Sequence, residues 1–126
     1  MTFESVKPIF TFFSGEEVNE INTMHISMAV ADTEKMLLPD AERNDVRLSF
    51  LAAAMANLHL QQAYAAKIQT ESFYEGSLSV SDKRRIISLS YAEKLMEKYL
   101  DLCRNLIVPQ TFIFMSFGSE EAFDNA

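Results

Sequence analysis

Residues 46–66 constrain the fold more than any other part of the chain. They read VRLSFLAAAMANLHLQQAYAA, are rich in alanine, contain no glycine or proline, and are apolar over much more than one face between Phe50 and Leu60. A surface helix usually has an apolar stripe about 100° wide, whereas a helix that is apolar nearly all round is buried. The segment is therefore predicted to be a central helix. Because a small chain has little with which to cover such a helix, neighbouring subunits are natural candidates for part of the cover.

Length and composition limit the class of protein. A chain of 126 residues, 48% hydrophobic and 23% charged, fits a single globular domain. Its net charge of −7 works against nonspecific attraction to nucleic acid or anionic membranes. It does not exclude a protein that encircles DNA without gripping it. Cys103 is the only cysteine, so an intrachain disulfide is impossible and a stapled secreted fold is not expected.

No targeting or membrane segment is expected from the sequence. The N-terminal residues lack the basic region and cleavage pattern of a signal peptide. Polar side chains interrupt the best apolar run before it reaches the roughly 18 residues of a transmembrane helix. The chain is therefore expected to be cytoplasmic, with no membrane partner.

Residues 1–13 are predicted to form an N-terminal arm. They are too aromatic for a disordered tail and are expected to pack on the helical body or on a partner. The next four residues, Ser14-Gly15-Glu16-Glu17, have the S-x-x-E spacing of a capping box, which predicts the start of a helix.

The helical body is predicted to cover residues 14–106 with three to four helices. The apolar pattern changes from a short face with Val18 and Ile21 to a second face with five members: Ile26, Ala29, Val30, Thr33 and Leu37. This change predicts a short helix, a kink or turn capped by Thr23, and a second helix to Leu38 that Pro39 ends. Asn44 or Asp45 is expected to cap the central helix, which is expected to end at residues 68–71. Ser81 or Asp82 is expected to cap the last helix. Its predicted buried stripe consists of Ile87, Tyr91, Leu95, Tyr99, Leu102 and Leu106.

Two segments are predicted to be extended. Residues 77–81 alternate between polar and apolar, which is typical of an extended arm or short strand. Residues 111–117 are apolar on both faces and strand-like, within a C-terminal extended segment and acidic tail at 109–126. Such a strand needs cover on both faces and a pairing edge. Insertion into a neighbouring subunit would supply them, and the alternative is pairing with residues 78–80 or with the N-terminal arm.

These patterns together predict a mainly α, single-domain helical bundle that self-associates through its apolar ends. The candidate subunit or partner contacts are Phe10, Phe12, Phe13, Leu78, Val80, Phe112, Phe114 and Phe117.

The sequence contains no recognisable catalytic or metal-binding motif. Neither His25 nor His59 has a glutamate three residues before it, as the di-iron carboxylate bundles require. Cys103 is expected to be a buried small hydrophobe, and the two histidines are expected to be hydrogen-bonded core or interface residues. None of the three glycines lies in a phosphate-binding loop. The expectation is a protein with no catalytic residue, no metal and no cofactor.

The basic cluster Lys83-Arg84-Arg85 allows two interpretations. It can be the solvated first turn of a helix, which is the ordinary outcome for a run of charges. Basic residues at that position oppose the helix dipole, however, so the cluster is also a candidate for contact with an acidic surface or a phosphate backbone.

The order of the predicted elements, with three stretches of sequence, resembles the head–tail connector (neck adaptor) proteins of long-tailed bacteriophages and prophages. The resemblance spans residues 14–106. The stretches are ISMAVADTEKMLL (26–38), DVRLSFLAAAMANLHLQQAYA (45–65) and EGSLSVSDKRRIISLSYAEKLMEKYL (75–100). The most specific part is a G-[SD]-x-S-V-S-like stretch leading to a helix with an A-x-x-L-(L/M)-x-x-Y core. Gly76, Ser77, Ser79, Val80, Ala92, Leu95, Met96 and Tyr99 occupy these positions.

The resemblance implies a homo-oligomeric ring, expected to be a dodecamer, between the portal and later neck or tail proteins. DNA would pass through its centre without specific binding, and the protein would reside in the cytoplasm during assembly and then in the virion neck. Two other classes stay open. One is a cytosolic self-associating helical adaptor, such as a cell-division accessory protein; the other is a small ligand- or metal-binding helical bundle.

Overall fold

The computed structural model describes residues 1–75 and 79–109, without the side chains of residues 69–75. These residues form four helices: α1 (Phe3–Ser14), α2 (Glu20–Met36), α3 (Val46–Glu75) and α4 (Val80–Leu102). The prediction of a mainly α, small helical bundle is confirmed. Residues 111–117 lie outside the described part of the chain, as does Leu78, so what was predicted for them stays a prediction.

Helix α3 is the axis of the bundle, and the other three helices all pack against it. From Leu48 to Gln61 every residue is buried except Phe50 and His59, which are partly exposed. The cover comes from the same chain, so the expectation that neighbouring subunits provide it for this stretch is wrong. The physical reason is the size of alanine: four alanines between positions 52 and 56 let the neighbouring helix axes approach closely.

The N-terminal end of α3 agrees with the sequence prediction, and the C-terminal end does not. Asp45 precedes the helix and its Oδ1 accepts a hydrogen bond from the Arg47 N–H at 2.9 Å, as expected of a capping residue. The predicted end at residues 68–71 is wrong, because the helix continues to Glu75.

The predicted N-terminal arm is instead a helix. The Thr2 side chain caps α1 by accepting a hydrogen bond from the Ser5 N–H at 3.1 Å. Pro8 lies inside the helix, where proline is normally unfavourable. The helix nevertheless forms, because Val6 and Phe10, four residues apart on one face, are completely buried against the rest of the bundle.

The predicted capping box at Ser14 marks the end of a helix rather than a start. Gly15 takes a left-handed conformation (φ 72°), and its N–H donates to the Thr11 carbonyl, which ends α1. The next helix begins after Asn19, whose side chain accepts a hydrogen bond from the Asn22 N–H at 2.9 Å. Because Gly15 has no Cβ, it takes the left-handed conformation at the end of α1 without strain.

Helix α2 is continuous, so the predicted kink at Thr23 is wrong. Its inner face was identified correctly, since Ile26, Ala29 and Thr33 are buried. Ile21 was expected to belong to a short packed face but is exposed. The earlier shift in pattern therefore reflects two apolar faces on one helix and not a break in it.

Helix α4 runs antiparallel to α3, as shown by contacts of Arg47 with Leu102 and of Tyr64 with Arg85. The predicted extended element before it is wrong in its described part. Ser79 is the N-cap, with its hydroxyl accepting from the Asp82 N–H at 3.0 Å, and Val80 already belongs to the helix, so the predicted cap at Ser81 or Asp82 is wrong. The Ser-x-x-Asp capping box explains why helix geometry prevails over the short alternating pattern.

The segments that follow α2 and α4 are joined at one end of the bundle. The Leu38 N–H donates to the Leu106 carbonyl at 3.0 Å, and the Val108 N–H donates to the Met36 carbonyl at 2.8 Å. Around them, Leu37 and Ile107 form an isolated antiparallel β-bridge. This pairing fixes the two outer helices relative to each other at that end.

Candidate functional site

The three phenylalanines predicted as subunit contacts near the N-terminus have three different surroundings. Phe10 is fully buried in the chain's own core, so it is not available to a partner and that prediction is wrong. Phe13 is half-buried between Phe50 and Tyr99, with ring centroids 6.2 and 5.8 Å away. Phe12 is 81% exposed and stays a candidate contact.

The basic cluster at the start of α4 is divided by the fold. Lys83 and Arg84 are exposed, whereas Arg85 is engaged with the body of the protein. The guanidinium carbon of Arg85 lies 3.9 Å from the centre of the Tyr64 ring, and its Nη1 lies 3.6 Å from Glu16 Oε2. Contact with a phosphate or acidic surface therefore remains open for Lys83 and Arg84, while Arg85 has a structural role.

Glu16, Tyr64 and Arg85 form a polar cluster that sequence reasoning missed. The Tyr64 hydroxyl donates to Glu16 Oε1 at 2.8 Å. Burial, and then the neighbouring Glu16 carboxylate, raise the pKa of Tyr64. The cluster joins the α1–α2 loop, α3 and α4, which are far apart in sequence, so no local pattern could have revealed it.

The only cysteine is held in an unreactive state. Cys103 is completely buried, and its thiol donates to the Arg47 carbonyl at 3.5 Å. Burial raises the pKa of the Cys103 thiol to about 11, although the Arg47 guanidinium opposes the shift. At neutral pH the group is a thiol, which is the wrong form for nucleophilic chemistry.

The two histidines lie on facing helices, with His25 on α2 and His59 on α3. Burial, and then the charge of His25, lower the pKa of His59, while Asp32 acts in the opposite direction. Among the described residues, no group of three or more His, Cys, Asp or Glu side chains could hold a metal ion. No helix in the described ranges is long and apolar enough to cross a membrane.

Helix α2 presents a second apolar row to solvent, opposite the face that packs on α3. Ile21, Met24 and Met28 recur at steps of three and four and are between 58% and 64% exposed. We call the exposed residues of this helix the α2 outer face: Glu20, Ile21, Met24, Ser27, Met28, Ala31, Glu34 and Lys35. A row of large apolar side chains that stays in water, outside the core formed by the described residues, is a feature of an interaction surface.

Helix α4 has an equivalent row. Val80, Ile87 and Tyr91 share one face, and Ile87 is 69% exposed. Ile87, Tyr91 and Leu102 were predicted to lie in the buried stripe of this helix but are exposed, so that part of the prediction is wrong. We call eight exposed residues on this side of the helix the α4 outer face: Val80, Lys83, Arg84, Ile87, Tyr91, Lys94, Lys98 and Leu102; the exposed Ser90, Glu97 and Asp101 lie along its edge.

The position of α3 decides which side of α4 is buried. Ala92, Leu95 and Met96 are the residues that face it and are buried. The stripe predicted from the sequence ran from Leu95 back to Ile87, and Ile87 lies on the exposed side of the helix. Both helices have apolar residues on more than one face, and that is the signal from which the outer faces could have been predicted.

Comparison of the chain with protein-family models, with curated proteins and with solved structures finds no match.

Proposed function

We propose that this protein is a structural protein that works by self-assembly. The observation that carries the proposal is the exposed apolar row on each of α2 and α4, represented by Met24 and Ile87. A monomer gains nothing from holding these side chains in water, whereas association removes them from it at roughly 25 cal/mol per Å² of apolar area. The core that the described residues form around α3 does not include the side chains of these rows.

Within that class, we propose a head–tail connector of a phage or prophage. The basis is the resemblance of residues 14–106, and it implies a ring, expected to be a dodecamer, between the portal and later head-completion or tail proteins. The net charge of −7 suits a channel through which DNA passes, because carboxylates repel phosphates and limit sticking. Such a protein would assemble in the cytoplasm and remain in the virion neck.

The side chains most able to do chemistry support a non-enzymatic function. The buried Cys103 thiol is protonated and hydrogen-bonded to the backbone. The lowered pKa of His59 follows first from its burial and then from the charge of His25 on the facing helix. Both groups are used in packing, as expected of a protein that acts through its surfaces.

The proposal is tested by measuring the mass of the protein in solution from about 1 μM to 1 mM. We expect size-exclusion chromatography with light scattering to show a mass that rises with concentration to a fixed multiple of the monomer. Electron microscopy of the largest species should show closed rings with a central hole. A strict monomer over the whole range would overturn the proposal.

The same images separate the two kinds of self-associating protein. Closed rings of uniform size support the connector proposal. Open filaments or a small compact oligomer would contradict it and favour the cytosolic adaptor.

A further inference from the structure

We propose that the α2 outer face of one copy binds the α4 outer face of the next copy, which makes a head-to-tail contact between subunits. The inference rests on the proposed self-assembly and names the surfaces that carry it. A contact between two different faces leaves one free face of each kind at the ends. Repetition therefore produces a ring if the rotation closes, or a filament if it does not.

The α2 outer face is apolar with an acidic border. Its apolar centre is the row Ile21, Met24 and Met28. Glu20 and Glu34 are exposed near its two ends, and Lys35 is the one cation among its residues. The exposed Glu17, just before the helix, adds to the negative charge at that end.

The α4 outer face is apolar with a basic border. Ile87 and Tyr91 form its centre. The basic residues stand on both sides of them along the helix: Lys83, Arg84, Lys94 and Lys98. Two exposed acidic residues, Glu97 and Asp101, lie at the edge of this face near its C-terminal end, and Asp101 is ion-paired with Arg104, so cations outnumber carboxylates on this side of the helix.

The two faces are also compatible in length. Each is the side of a helix that points away from α3, and the helices have 17 and 23 residues. At 1.5 Å per residue they are roughly 25 and 35 Å long, so one can lie along most of the other. Two such rows pack by placing the side chains of one helix between those of its partner.

Charge favours the contact of an α2 outer face with an α4 outer face over the contact of two α4 outer faces. Two α4 outer faces would bring the four cations of one copy against the same four cations of the other. Charge also favours a second copy over DNA as the occupant of the α4 outer face. A phosphate backbone would leave Ile87 and Tyr91 without an apolar partner, and the chain as a whole has a charge of −7.

The test is a mixing experiment with two variants, each lacking one face. Met24→Asp places a charge at the centre of the α2 outer face, and Ile87→Asp does so on the α4 outer face. Each variant alone should be monomeric, with its self-association weakened by about a hundredfold or more, because the interface would have to bury a carboxylate. Mixed in equal amounts, they should form a heterodimer of twice the monomer mass that does not grow further.

A matched control and a second pair of variants keep the test decisive. Val46→Asp changes another exposed apolar residue, outside both faces, and should assemble like the wild type. Met28→Asp and Tyr91→Asp repeat the experiment one step along each row, should a first variant fail to give a helical circular dichroism spectrum.

Each other outcome contradicts a stated part of the argument. A wild type that assembles, with variants that assemble equally well, overturns this inference and leaves the proposed function standing. Dimers of Ile87→Asp alone would show that two α2 outer faces pair, which overturns the head-to-tail contact. A monomeric wild type that binds a 30-base-pair DNA duplex, with binding lost in Ile87→Asp, overturns both proposals.

Discussion

Cys103 shows how a single side chain is fixed by its surroundings. The thiol is covered on all sides, donates to the Arg47 carbonyl and titrates well above its ordinary range. Arg47 itself is held by Asp45, whose pKa is lowered to about 2 chiefly by the side-chain hydrogen bond between them. The same guanidinium donates to the Leu102 carbonyl at 2.9 Å, so its positive charge stabilises the C-terminal end of α4.

We predict that Cys103 does not react with a thiol reagent such as DTNB in the folded protein at pH 8. With a pKa of about 11, the thiolate fraction at that pH is lower by roughly two orders of magnitude than for an ordinary cysteine, and the side chain is also inaccessible. The release of thionitrobenzoate, followed by absorbance, should begin only when guanidinium chloride unfolds the chain. Because there is no other cysteine, rapid labelling under native conditions would disprove the burial of this residue.

At the scale of elements, α3 and α1 are helical for different reasons. Helix α3 is rich in alanine and leucine, which are strong helix formers, and from Leu48 to Gln61 it is buried except at Phe50 and His59. Helix α1 contains Pro8 and a run of aromatic residues, which locally favour an extended arm. Its helical form depends on burying Val6 and Phe10 against neighbours that are distant in sequence.

We predict that Ala53→Leu destabilises the protein by about 1–3 kcal/mol, because position 53 is fully buried where the other helices approach α3 and has no room for three more carbon atoms. Ala63→Leu is the matched control on the same helix. Residue 63 is exposed, so the change should stay within about 0.5 kcal/mol. Urea unfolding followed by circular dichroism measures both values, and equal stabilities would mean that α3 is not the tightly packed centre.

At the scale of the whole molecule, all four helices of the described residues share one core around α3. Within residues 1–75 and 79–109, the buried residues nearest the C-terminus are Leu106 and Ile107, where the chain pairs with the segment after α2. Phe112, Phe114 and Phe117 were predicted from the sequence to be subunit contacts. The second candidate for the subunit contact is the pair of α2 and α4 outer faces, which lie in the described part of the chain. The two assignments make opposite predictions about truncation.

We predict that a chain ending at Pro109 folds with a melting temperature within a few degrees of the full chain and still self-associates. Differential scanning fluorimetry and light scattering test the two statements separately. Loss of assembly with an unchanged melting temperature would show that the aromatic C-terminal segment, and not α2 against α4, makes the subunit contact.

The sequence by itself determined the helical class, a cap at Asn44 or Asp45, the inner face of α2 and the burial of the central helix. These follow from local rules, since apolar periodicity and capping depend on residues within a turn or two of each other. The burial of Cys103 was also predicted correctly, although the residue is the C-cap of α4 and lies just beyond the helix.

Only the tertiary structure decided which apolar residues became core and which became surface. Phe10 and Ile87 are both apolar residues on amphipathic helices, yet the first is buried and the second is exposed. The Glu16–Tyr64–Arg85 cluster likewise joins residues that meet only after folding. The physical reason is that burial depends on what packs on the other side, and the covering elements of the 46–66 helix come from both ends of the chain.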